Sequence, residues 1–161
     1  MNLLFRIILG IHITGIVIMA GTTMIDYLTY KTFWKLADAG APHAVGIIPL
    51  MARYGVFIRA GAFTIFLTGT ALLALEKGAA WAQPWFKVKV VLVLPLLLNG
   101  ILIGNKQGHK LRETVTAHTP DFLAYTSSIR ESMDRFYPIQ LSLFFLTIIV
   151  SMIRVDPAIK I

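Results

Sequence analysis

The chain has 161 residues and no cysteine; 57% of it is hydrophobic and only 14% charged, with a mean hydropathy of +0.73. Soluble domains carry about 25% charged residues, so this composition excludes a water-solvated exterior. The missing cysteines exclude disulfides, thiolate metal sites and iron–sulfur clusters. The formal net charge of +7 comes from Lys and Arg at the edges of apolar runs, which suits anionic lipid headgroups and argues against nucleic acid.

A hydrocarbon layer about 30 Å thick needs about 20 apolar residues in helix. In chain order the first such span covers 7–25, closed by Arg6 and Asp26. Its length exceeds the usual core of a signal peptide, so a retained helix is expected. Polar residues 26–46 follow as a long connection. The second span covers 55–75, with Arg53 and Arg59 at its interface, and "EKGAAWAQPWF" makes a tight turn with tryptophans at headgroup depth. The third covers 88–105 and contains Pro95, a kink site. Residues 105–135 form a second long polar connection. Within it Thr119, Pro120 and Asp121 read as a helix start, opening an amphipathic helix that carries Phe122, Leu123, Tyr125, Ile129, Met133 and Phe136 into the fourth span, 136–153, where Pro138 marks another kink. The expectation is one all-α domain over 1–161, a polytopic four-helix membrane bundle.

Lys and Arg suggest a topology. Arg6, Lys77, Lys87, Lys89, Arg154 and Lys160 lie on the side of the termini, and the other nine, from Lys31 to Arg135, on the side of the long connections. The excess predicts cytoplasmic connections and periplasmic termini in a bacterial-type inner membrane.

Helices in lipid associate through small and polar residues. Gly10, Thr14 and Gly21 on the first span and Gly61, Thr64, Thr68, Gly69 and Ala71 on the second are the candidate contact surfaces. The stripe through His12, Gly15, Met19, Thr23 and Asp26 should face the bundle interior, with Asp26 ending the span at the water boundary. Asn99 needs a polar partner inside the bundle. His12 lies about 9 Å into the layer from Arg6, level with Thr68 and Thr70, and two main roles are open to it beside proton relay and quinone contact. It bonds a threonine across the first helix pair, or it ligates a heme iron, with Lys87 and Lys89 as cations for the propionates and Met152 on the correct side for a sixth ligand. His43, His109 and His118 lack compact metal-ligand spacing, although His109 and Glu113 are four apart and share a helical face.

The segments "HITGIVIMAG", "TIFLTG" and "PWFKVKVVLVLPLLL" resemble the small bacterial membrane proteins related to the heme-associated protoporphyrinogen oxidase and to copper-resistance protein D, together with uncharacterised integral membrane families. The resemblance runs from about Arg6 to Lys110. It implies heme b on His12 and a functional lysine at Lys89, a catalytic candidate, with Trp85 as the landmark. Asn99 stands in the region where the oxidase has a third-helix histidine.

Two functional expectations follow. The first is a heme-binding membrane protein of oxidoreductase ancestry that passes electrons to a quinone or a protein partner, since no nucleotide-binding fingerprint is present. The second is a non-enzymatic membrane subunit or scaffold, itself a candidate homo-oligomer, in which His12 is structural.

Overall fold

The computed structural model describes residues 3–117 and 121–152, and the described residues are almost entirely helical. α1 spans Leu3–Asp38, α2 Ile48–Leu75, α3 Pro84–Leu98, α4 Lys106–Ala117 and α5 Phe122–Met152. A π-helical segment, Asn99–Asn105, joins α3 and α4 into one rod. Ile153, the last residue of the expected fourth span, and the Thr119–Pro120 helix start lie outside the described residues.

Local chemistry sets the helix ends. After α1, Ala41 N–H bonds Leu36 C=O at 3.0 Å and Gly40 adopts φ +65°. After α2, Gly78 N–H reaches Leu73 C=O at 3.1 Å with φ +75°. Both are six-to-one closures; Gly40 takes the left-handed position in the first, as glycine favours after a helix, whereas Lys77 takes it in the second, at φ 49°. Proline sits in the first turn of α2 and of α3, where a missing N–H costs nothing.

Four rods are long and apolar enough to cross a membrane: Leu3–Asp38, Pro42–Leu75, Pro84–Ala117 and Phe122–Met152. Within their apolar windows only 6–22% of residues are buried by the protein itself. Side chains such as Phe63, Phe66, Val91, Leu102 and Phe145 point outward, each at least 60% exposed. A surface so apolar belongs in lipid, and the chain is a multi-pass membrane protein.

At the end where α1 finishes and α5 begins, the expected long polar connections are in fact mostly helix. α1, at 36 residues, is about 54 Å long and outruns a hydrocarbon layer by several turns. The helix itself runs on past Asp26, the expected end of the span, for about three more turns. The extension carries Tyr30, Phe33, Trp34 and Ala37, all buried, at the i, i+3, i+4, i+7 spacing of one helical face. They pack on Leu111 and Val115 of α4 and on Phe122, Ile129, Met133 and Tyr137 of α5. Polar contacts lock this cap: Arg130 forks onto both Asp38 oxygens at 2.8 Å and lies 4.6 Å from the Trp34 ring. Lys31 meets Asp134 at 2.8 Å, and the Tyr30 hydroxyl donates to Arg130 C=O at 3.0 Å. The amphipathic start of α5 is present as expected, except that Leu123 and Tyr125 face outward while Thr126 is buried.

Lower down, α1 pairs with α2 and α3 with α5, and α2 and α3 barely touch. Close approach of α1 and α2 rests on Gly15 and Gly61. A Cβ on Gly61 would lie 2.9 Å from Met19 Cβ and 3.0 Å from Gly15 C=O, and one on Gly15 would lie 3.1 Å from Ile65 Cγ1. The expected stripe through Gly10, Thr14 and Gly21 is not a contact: nothing lies within 4 Å of a Cβ on either glycine. The Thr14 and Thr64 hydroxyls bond carbonyls one turn back in their own helices, while the Thr64 methyl lies 3.2 Å from where a Gly15 Cβ would stand and so belongs to the α1–α2 contact.

Gly61→Leu is expected to lower stability by about 1–3 kcal/mol through overpacking, while Gly10→Ala leaves it unchanged or slightly raised. Thermal unfolding in mild detergent, followed by circular dichroism, distinguishes the two; equal effects would refute the contact at Gly61.

Candidate functional site

Two polar sites lie at opposite ends of the apolar layer. The first is His12, held on the inward stripe of α1 with Gly15, Met19 and Thr23, all buried. Its Nδ1 lies 2.8 Å from Thr68 Oγ1 on α2, the pairing expected for a structural role. Thr68 has one hydroxyl proton, and it goes to Thr64 C=O at 2.5 Å. With that proton on Thr64 C=O, Thr68 Oγ1 acts as the acceptor, which fits the His12 tautomer protonated on Nδ1 with the lone pair on Nε2, an assignment made from the hydrogen-bond pattern. The ring edge rests on the bare backbone of Gly69, where a Cβ would come within 3.3 Å of Cε1.

Lys89, half-buried on α3, is close enough to act electrostatically on His12. Lys87 is exposed, and Met152 is 80% exposed, so it does not turn inward toward the imidazole. Trp85 packs edge-on against Phe86 at 5.8 Å. The fit to heme is poor: His12 is only 8% exposed, which leaves no open face for a porphyrin plane against the ring as it is packed. Neither described cavity is lined by His12, Lys87 or Lys89.

His109 and Glu113 do share a face, 3.2 Å apart and well exposed. Among the described residues no three His, Cys, Asp or Glu side chains converge as a metal-binding group.

The second site is a cavity of about 210 Å³ where α2 and α3 diverge, reached by all four rods. Its membrane-side wall is apolar, formed by Met19, Ile58, Ala62, Leu96 and Ile101. Its cap-side rim carries Asp26, Arg59, Asn105 and Arg112. Asp26 Oδ2 accepts from the Tyr137 hydroxyl at 2.8 Å, whereas its Oδ1 is buried with no hydrogen-bond partner. Arg112 lies near enough to act electrostatically on Asp26. Beneath the rim, Asn99 donates to Gln140 Oε1 at 2.8 Å and to Phe136 C=O at 3.3 Å, so the partner Asn99 required is on α5.

Tyr137, Gln140 and Arg112 were not singled out from the sequence. Gln140 had a readable signal, since a lone amide inside a span needs a polar partner; Tyr137 had none, because a tyrosine beside Pro138 is unremarkable until Asp26 is seen opposite.

Comparison of the chain with protein-family models, curated proteins and solved structures gives no match.

Two outcomes are expected. In a double-mutant cycle, His12→Ala and Thr68→Val should couple by about 1 kcal/mol, and full additivity would remove the hydrogen bond from the account. Tyr137→Phe, which deletes one oxygen and leaves both Asp26 oxygens without a donor, should destabilise by about 1–3 kcal/mol; a melting curve matching the wild type would contradict it.

Proposed function

We propose that the protein is a non-enzymatic membrane subunit or scaffold, set in a bacterial-type inner membrane with its helical cap in the cytoplasm and its termini on the far side. The observation that carries this reading is the use of His12. Its proton is committed to Thr68 and its ring is pressed on Gly69, so the most chemically versatile side chain in the apolar layer is occupied in holding two helices together. The excess of Lys and Arg on the cap side supports the orientation. The cap, a packed helical unit beyond the apolar layer, supplies the surface on which a protein partner would dock.

A second reading keeps one specific observation. The Nδ1–H of His12 is held by an oxygen acceptor and Nε2 carries the lone pair, which is how a ligating imidazole is usually oriented. In that reading His12 binds heme b, Lys89 and Lys87 neutralise the propionates, and bound heme supplies one-electron chemistry toward a quinone or partner protein.

The visible spectrum of protein purified in mild detergent separates the two. The scaffold reading expects no stoichiometric Soret band and a His12→Ala variant that is only less stable. A Soret band that disappears in a folded His12→Ala variant would overturn it in favour of heme.

A further inference from the structure

The polar rim of the crevice between α2 and α3, at Asp26, is about 21 Å along α1 from His12, and His12 does not line the cavity, so what the rim does is independent of the role of the imidazole. We propose that it is a lipid site: it holds one anionic glycerophospholipid with a hydroxylated headgroup, of the phosphatidylglycerol type, taken from the leaflet on the cap side.

The first argument is the direction of two arginines. Side chains on a helix lean toward its N-terminus. α2 begins at the cap and α4 ends there, so on these antiparallel rods the arginines lean toward each other's level. The Arg59 guanidinium lies back over Gly55, 3.4 Å from where a Cβ would stand, and the Arg112 guanidinium over Gly108, at 3.5 Å. Gly108 is a full turn closer to the apolar layer than Arg112. Arg112 therefore turns its charge toward lipid, the reverse of a snorkelling arginine. Gly55 and Gly108 both line the cavity, and the bare glycines leave room for the two guanidiniums along its walls.

Charge is the second argument. Among the described residues neither Arg59 nor Arg112 makes an ion pair. With Asp26 they leave the rim at a net charge of +1, the complement of a single phosphodiester. Arginine suits a phosphate because its planar fork matches two oxygens at once.

Asp26 completes the specification. Its Oδ1 is a buried acceptor without a donor, and such an atom costs stability until it is paired. A headgroup hydroxyl beyond the phosphate supplies that donor. A phosphomonoester lacks the distal hydroxyl, and a choline headgroup carries no hydrogen-bond donor and cancels the phosphate charge. Below the rim, the apolar wall of Met19, Ile58, Ala62, Leu96 and Ile101 meets the glycerol and upper acyl carbons. The tails leave sideways, where α2 and α3 hardly touch.

Short-chain lipids test this on the full chain in maltoside detergent, with melting followed by circular dichroism. Dioctanoyl-phosphatidylglycerol should raise the melting temperature saturably, by roughly 5–10 °C at a hundredfold excess over Kd. Dioctanoyl-phosphatidic acid should act more weakly, and dioctanoyl-phosphatidylcholine, dioctanoylglycerol and sodium phosphate should not saturate. Arg59→Gln and Arg112→Gln should each raise the half-maximal concentration about tenfold. Asp26→Asn keeps a carbonyl for Tyr137 but should erase the preference for phosphatidylglycerol over phosphatidic acid. Ala62→Phe, which fills the apolar wall and spares every charge, should abolish the shift.

Equal stabilisation by the neutral lipids overturns the proposal in favour of an unspecific apolar groove. Saturable stabilisation by phosphate alone overturns it in favour of a free-anion site. Arginine variants that retain wild-type helicity and titrate like the wild type overturn it as well.

Discussion

The hydrogen bond from Tyr137 to Asp26 sits where the two halves of this molecule meet. Above it, α1 and α5 run on as a packed pair, with the Tyr30 and Tyr137 rings 5.0 Å apart. Below it, the outer faces of both helices turn apolar, and among the described residues they share only the small buried cluster of Met19, Leu96 and Phe144. A carboxylate at this depth needs a donor, because an unpaired buried charge is among the costliest features a fold can hold. The phenol meets half of that need through Oδ2. The other oxygen is buried without a partner on a residue that lines the crevice, so one contact both joins α1 to α5 and marks the polar end of the candidate site.

Two solvents divide the stabilising interactions. In the cap, where water is the alternative, burial of Tyr30, Phe33, Leu111, Ile129 and Tyr137 supplies the ordinary hydrophobic drive. In the apolar layer that drive vanishes, because lipid tails are as apolar as leucine. There the buried cluster shrinks to Met19, Leu96 and Phe144, and cohesion passes to the Gly15–Gly61 approach, His12–Thr68 and Asn99–Gln140. The weak α2–α3 seam follows from this distribution: α3 carries no small-residue face to meet Gly55 and Ala62 of α2, and among the described residues no polar pair joins the two helices. A crevice there is the geometric consequence of where the glue was placed.

The π-helical segment belongs to the same account. It starts at Asn99, four residues after Pro95, whose ring removes one backbone donor from α3. The wider turn coincides with the buried Asn99 amide, which bonds Gln140 and Phe136 C=O on α5. Gly104 then allows the Phe136 ring to lie directly against the rod. π turns of this kind are frequent at functional sites, and Gly100, Ile101, Gly104 and Asn105 of this one line the cavity.

Much of the architecture is legible in the sequence alone. Charge-free runs of bilayer length can be satisfied only as helices in lipid, so the four spans, the tryptophan-bearing turn and the inward stripe from His12 to Thr23 follow from composition and spacing. His12–Thr68 was legible too, because depth can be counted in 1.5 Å steps from a charged end. What the sequence left open is everything that depends on which helix faces which. Gly10 and Gly61 look alike as glycines, yet only Gly61 meets a neighbour. The polar stretches after Asp26 and after Asn105 read as loops until their sparse aromatics and aliphatics find one another in the cap. Asp26, Tyr137, Arg59 and Arg112 become a site only when four rods bring them together, since spacing along one helix carries no information about the rotation of the next.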